Sequence, residues 1–99
     1  MNHISPQELK QRIEDGQLFL LDVRELTEHQ EFNIGGTLIP LGELMLHTNK
    51  IPSDQPVVVY CKKGIRSQIA IQRLEEKLGF TNLINLKGGM DAWKKIFDI

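Results

Sequence analysis

Val57-Val58-Val59-Tyr60-Cys61-Lys62-Lys63-Gly64-Ile65-Arg66-Ser67 decides how this chain is read. Its first four residues are β-branched or aromatic and make a short apolar run, the pattern of a buried strand. Beyond Ser67, Ala70, Ile71, Leu74 and Leu78 recur at helical spacing and predict one apolar face. The one cysteine of the chain therefore falls where a strand ends and a helix begins. Open α/β sheets place their ligands at that junction. The connecting loop carries one glycine, two lysines and one arginine. Backbone N–H groups curled around a point and closed by a helix N-terminus form an anion nest. The same field draws a cysteine toward thiolate. Chemistry alone thus predicts a reactive thiolate in an electropositive cradle.

Working outward, strands and helices alternate. Ser5-Pro6-Gln7-Glu8 opens a helix, with Ser5 as cap, Pro6 in the first turn and Glu8 closing a capping box. Ile4 and Leu9 fall where a hydrophobic staple would lie, and Gly16 is the stop. Leu18-Phe19-Leu20-Leu21-Asp22-Val23 reads as a strand covered on both faces. Residues Glu25 to Glu31 predict a short surface helix, broken at Gly35-Gly36. Thr37-Leu38-Ile39 is a short strand ended by Pro40, and Leu41 to Leu46 a brief helix. Pro52-Ser53-Asp54-Gln55-Pro56 is a turn cluster, and Gly79 ends the helix after the cysteine loop. Asn82 to Leu86 is a last strand, Gly88-Gly89 a tight turn and Met90 to Phe97 a final helix in which Trp93 is core. The alternation predicts an α/β domain with a mainly parallel sheet and helices on both faces.

The bulk properties set limits. A chain of 99 residues makes one domain, residues 1–99, and 40% hydrophobic with 25% charged residues makes it globular. A net charge of -1 argues against nucleic-acid binding through phosphate neutralisation. One cysteine cannot form an intramolecular disulfide, which fits a free thiol in a reducing, cytoplasmic setting. The N-terminus shows no basic region followed by an apolar run, and no apolar run is long enough to span a membrane. His3, His29 and His47 show no ligand spacing with each other or with Cys61 and read as surface residues. No Ser-His-Asp arrangement, metal site or cofactor is expected.

Cys61, Gly64, Arg66 and Ser67 resemble the Cys-x-x-Gly-x-Arg-Ser/Thr active-site loop of rhodanese-like sulfurtransferases. Two further blocks extend the likeness over nearly the whole chain. Leu21-Asp22-Val23-Arg24-Glu25, with Glu28 following, is similar to the family's Asp-Val-Arg signature. Gly79-Phe80, then Leu86-Lys87-Gly88-Gly89 and Trp93, resembles its closing Gly-Phe…Leu-x-Gly-Gly-x-x-x-Trp element. There are departures. His29 stands where an aromatic is usual, and Phe32-Asn33-Ile34-Gly35-Gly36 replaces a Gly-His-Ile-x-Gly-Ala stretch, one residue shorter. Gly-Gly followed by Thr37-Leu38-Ile39-Pro40-Leu41 resembles rhodanese domains attached to adenylating enzymes of molybdopterin and thiocarboxylate pathways.

The resemblance implies a three-layer α/β/α domain with about five short strands, and a sulfurtransferase in which Cys61 is the nucleophile. Attack on the outer sulfur of a donor such as thiosulfate would leave a persulfide, held by the loop N–H groups from Lys62 to Ser67. Cyanide, a thiol or a sulfur-relay protein would then take the sulfur. On its own, a lone cysteine reads as a small buried hydrophobe; the loop around it changes that reading. Lys62, Lys63, Gly64, Ile65, Arg66 and Ser67 are the candidate substrate-binding residues. Lys62 and Lys63 read as substrate-facing charge or as ordinary solvated lysine, and Arg66 either binds an anionic donor or braces the loop. Ser67 is expected to cap the helix and offer one hydrogen bond to the site. Asp22 and Arg24 are expected to support the site as a charge pair. Partners would be small sulfur donors and acceptors, with a sulfur-carrier protein, cysteine desulfurase or thioredoxin as macromolecular candidates.

Two other functions compete. A non-catalytic rhodanese-like module would bind or relay with little activity alone. A Cys-dependent phosphatase or arsenate reductase would place its arginine six positions after the cysteine; here that position is Ser67 and Arg66 comes one earlier, giving a ring better matched to one sulfur atom.

Overall fold

β4 (Val57–Tyr60) is the centre of the molecule in both sequence and space. The computed structural model describes residues 1–16 and 18–99. In chain order the elements are β1 (Asn2–Ile4), α1 (Pro6–Asp15), β2 (Phe19–Asp22), α2 (Leu26–Glu31) and β3 (Thr37–Leu38), then 3₁₀ turns at Leu41–Leu46 and Thr48–Lys50. β4, α3 (Ile65–Leu78), β5 (Leu83–Leu86) and α4 (Gly89–Ile96) complete the chain. The strands form one sheet in the order β1-β5-β4-β2-β3, and every pairing is parallel.

Alternation along β4 explains the unbroken apolar run. Val57 and Val59 face a core shared with Leu21, Val23, Leu44 and Ile51 and with Ala70, Ile71 and Leu74 of α3. Val58 and Tyr60 face a second core built with Leu20, with Leu9 of α1 and with Met90 and Trp93 of α4. The sheet is thus covered on both sides, as a parallel sheet requires, and the layers are α/β/α. Trp93 is core as expected, its ring tilted 59° against Phe97 with centroids 4.7 Å apart.

The helix ends follow their local chemistry. Glu8 N–H donates to Ser5 Oγ at 3.1 Å, the Ser5 hydroxyl donates to Glu8 Oε1 at 3.0 Å, and Gly16 closes α1 in the left-handed region. Ile4 and Leu9 pack in the same core, as the staple predicts.

The structure adds one strand and corrects one expectation. Asn2-His3-Ile4 forms β1, a parallel edge strand on β5, which local pattern does not predict because only Ile4 is buried. Leu78 does not join the apolar face of α3 but is 51% exposed, because the last turn runs past the edge of the core. Leu41–Leu46 forms the expected brief helix, coiled as 3₁₀.

Register carries the strands to a common edge. Asp22 stands opposite Tyr60, Val59 opposite Asn85, and Ile4 opposite Leu86. Cys61 follows directly, so the carboxyl ends of β2, β4 and β5 surround it.

Candidate active site

The sulfur of Cys61 occupies the place that a capping side chain would take. Gly64, with φ 89°, turns the chain into α3 and has no side chain to cap it. Cys61 Sγ instead accepts from the N–H of Gly64 at 3.1 Å and of Ser67 at 3.4 Å. Ser67 N–H is one of the orphan donors of the first helical turn, so the amino end of α3 aims partial positive charge at the sulfur. Cys61 is a free thiol and 1% exposed.

The other side of the loop is held by the second helix at this edge. Met90 N–H donates to Cys61 O and Asp91 N–H to Lys62 O, both at 2.9 Å. The loop is thereby fixed with these two carbonyls on α4. Gly88-Gly89 forms the expected strand-to-helix turn, and it also permits this contact: Gly89 sits at φ 62° with its Cα against the loop carbonyls.

Ser67 is not the cap that the sequence predicts. The turn at Gly64 starts α3 early enough to make Ser67 its third residue, buried and facing inward. Its hydroxyl donates to Asn85 Oδ1 and lies 3.4 Å from Cys61 Sγ, in position to accept the thiol proton. Ser67 thus meets the sulfur twice, through its N–H and its hydroxyl oxygen.

Arg66 braces the loop. Its Nη1 and Nη2 donate to Glu28 Oε1 and Oε2 at 2.7 and 2.8 Å, a bidentate pair that ties the loop to α2. Glu28 also accepts from Glu25 N–H at 3.0 Å and so closes the amino end of its own helix. The Arg66 hydrogen bonds draw the Glu28 carboxyl down from an ordinary 4.5 to about 2, against the opposing effect of partial burial. Because the folded value is lowered, the stabilisation is complete above the unfolded value and is lost as pH falls from 4.5 toward 2. Glu28→Gln is therefore expected to cost about 1 kcal/mol at pH 7, as for a well-oriented surface pair. Urea unfolding should show that cost shrinking steadily below pH 4.5.

Lys62, Lys63 and Ile65 stand exposed at the mouth. With Cys61 and Arg66 they line a depression of about 260 Å³. A smaller groove of about 170 Å³ adjoins it, sharing Lys62 and lined also by Phe32, Met90 and Lys94. A cavity of about 320 Å³ opens at Asn2, Pro56, Asn82 and Ile84, by the amino ends of the strands. It lies at the opposite edge of the sheet from the cysteine.

Asp22 and Arg24 form the expected charge pair. Asp22 is fully buried and accepts from Arg24 N at 3.0 Å, Nε at 2.9 Å and Nη2 at 2.8 Å; Arg24 Nη2 also donates to Phe32 O at 2.7 Å. The Arg24 guanidinium lies 5.5 Å over the Tyr60 ring, whose hydroxyl donates to Gly35 O at 2.9 Å. Burial, helped by the Asp22 charge, pushes the Tyr60 hydroxyl well above its ordinary pKa.

The reading of the histidines as surface residues needs correction at His29. His29 Nδ1 lies 2.8 Å from Asp22 Oδ2 and completes the buried network. His3 is exposed, but its Nδ1 lies 3.1 Å from Asn85 Nδ2. His47 is half-buried and 4.0 Å from Glu43. Asn85, His29 and the clamp on Glu28 have no local signal that marks them for the site. Among the described residues, no group of three His, Cys, Asp or Glu side chains is placed to hold a metal ion.

Residues 5–96 match the family described as Rhodanese-like domain. Thiosulfate sulfurtransferase GlpE of Coxiella burnetii is 33% identical over 95 residues, which cover 95% of this chain and 85% of that protein. The probable adenylyltransferase/sulfurtransferase MoeZ of Mycobacterium tuberculosis is 37% identical over 99 residues, but the chain spans only 24% of its length. The crystal structure of a rhodanese-related protein from Thermoplasma volcanium superposes with a TM-score of 0.85 at 28% identity, covering 97% of this chain and 93% of that one. With its five-stranded parallel sheet and its cysteine held at the amino end of α3, the chain belongs to the rhodanese-like family.

Proposed function

We propose that residues 1–99 act as a single sulfurtransferase domain in which Cys61 carries sulfur. The Cys61 thiolate attacks the outer sulfur of a donor such as thiosulfate. An S–S bond forms on Cys61, the donor S–S bond breaks, and sulfite leaves with the bonding pair. Cyanide or a thiolate then attacks the outer sulfur, and the Cys61 thiolate departs unchanged in oxidation state. The observation that carries this reading is the sulfur position: Gly64 and Ser67 N–H groups converge on Sγ from a loop whose mouth bears Lys62 and Lys63. Donors already in place for negative charge on Sγ need no rearrangement when the thiolate forms or when it leaves the persulfide. Lys62 and Lys63 attract the anionic donor, while Arg66 holds the loop in shape through Glu28.

The ion pair also weakens the phosphatase reading, because the loop arginine is already committed to a carboxylate rather than free for a phosphate. The open mouth, with Ile65 64% exposed beside two lysines, favours a macromolecular acceptor over a small one in the cell. A sulfur-carrier protein, a cysteine desulfurase or thioredoxin would fit that mouth. No helix among the described residues is long and apolar enough to cross a membrane, and the free thiol suits the reducing cytoplasm.

Thiosulfate and cyanide supplied together should yield thiocyanate at a rate proportional to protein. An aryl phosphate supplied instead should remain intact. Phosphate release without thiocyanate would reverse the assignment. Sulfur movement only in the presence of a partner protein would favour the relay module.

A further inference from the structure

From Cys61 a line of side-chain hydrogen bonds crosses β5 to the edge strand β1. Cys61 Sγ lies 3.4 Å from Ser67 Oγ, the Ser67 hydroxyl donates to Asn85 Oδ1 at 2.5 Å, and Asn85 Nδ2 lies 3.1 Å from His3 Nδ1. Ser67 and Asn85 are buried, and His3 is exposed. Register explains the line: Asn85 is paired with Val59 on one side and His3 on the other, beside the end of β4. An amide in such a place costs free energy unless both its ends are bonded. Here both are.

A hydroxyl has one proton. As the structure stands, Ser67 gives that proton to Asn85 and turns a lone pair toward the thiol of Cys61. That arrangement suits a protonated sulfur. A thiolate instead needs the hydroxyl proton for itself. Ser67 can turn it inward only if Asn85 also turns its amide, so that Nδ2 meets Ser67 and Oδ1 meets His3. His3 permits both settings, because its Nδ1 accepts in one neutral tautomer and donates in the other.

We propose that Asn85, steadied from the surface by His3, is a positioning residue that sets the direction of the Ser67 hydroxyl and so the protonation state that the site favours for Cys61. This rests on Cys61 being the reacting sulfur. Alkylation of Cys61 by iodoacetamide reads its ionisation whether or not sulfur is transferred, so a failure here is distinguishable from a failure of the sulfurtransferase reading.

The test is the pH profile of that alkylation. Asn85→Asp offers only acceptors to Ser67 and should lock its proton away from the sulfur. The midpoint should rise by about one pH unit, a tenfold change in the thiol–thiolate equilibrium. In a Ser67→Ala background the same substitution should shift the midpoint by less than half as much, because the hydroxyl that transmits it is gone. An equal shift in both backgrounds would mean that the added charge acts directly and would overturn the proposal. So would no shift at all. Should Asn85→Asp fail to fold, His3→Ala reads the same line from the exposed edge. Without His3 the amide loses its surface partner in either setting, so the midpoint should move, in one direction or the other, with the melting temperature unchanged. An unmoved midpoint would overturn the proposal.

Discussion

Cys61→Ser is expected to abolish thiocyanate formation from thiosulfate and cyanide, a loss of at least about a thousandfold. The substitution keeps the size and the hydrogen bonds of the site. A seryl oxygen can still accept from the N–H groups of Gly64 and Ser67, which hold the sulfur at 3.1 and 3.4 Å. What it loses is the thiolate, the nucleophile that attacks sulfane sulfur. The melting temperature should therefore stay near that of the parent while the rate disappears. Initial rates of thiocyanate release, followed beside a thermal melt, separate the two effects. Residual activity above a few per cent would mean that sulfur passes elsewhere.

Gly89→Ala should damage the cysteine loop severely without touching the nucleophile. A Cβ at Gly89 would lie 2.5 Å from both Cys61 O and Lys62 O, inside any real contact distance and against backbone. Its φ of 62° adds a cost of about 1–2 kcal/mol for a residue with a side chain. Steric overlap in a packed site adds roughly 1–3 kcal/mol. For a domain of this size the sum lowers the melting point by roughly 10–40 °C. The larger consequence is local. Relief of the clash pulls α4 from the loop and breaks the bonds from Met90 N–H to Cys61 O and from Asp91 N–H to Lys62 O. Loss of activity at temperatures where the variant remains folded is the expected signature. A Gly89→Ala protein with parental rate and melting point would show that the α4 contact does not shape the loop.

The two predictions differ in how visible their residues are from sequence. The cysteine loop is legible because its chemistry is local: strand, nucleophile, glycine turn and helix lie within eleven consecutive residues, Val57 to Ser67. The two-faced core is legible for the same reason, since the unbroken run at Val57–Tyr60 admits no solvent-facing side. Gly88-Gly89 is readable as a turn, but not as a spacer against Cys61 O, because that contact joins residues far apart in the chain. The Arg66–Glu28 clamp likewise spans 38 positions. β1 escapes notice because three residues with one buried side chain carry almost no periodicity; its pairing with β5 makes it a strand. Ser67 is misjudged as a cap for a geometric reason. The left-handed turn at Gly64 begins the helix early and turns the hydroxyl inward, and the sulfur does the capping. His29 looks like a surface residue until α2 folds back over β2 and brings it to Asp22.

The measurement that bears most directly on Cys61 as a sulfur carrier is the intact mass of the protein after exposure to a donor. The protein is first reduced and freed of reductant, then mixed with thiosulfate, and in parallel with a polysulfide and a glutathione persulfide. At least one donor should add the mass of a single sulfur atom. Cyanide should remove it, and Cys61→Ser should never acquire it. A mass unchanged by every donor, or a gain that persists in Cys61→Ser, would contradict the account.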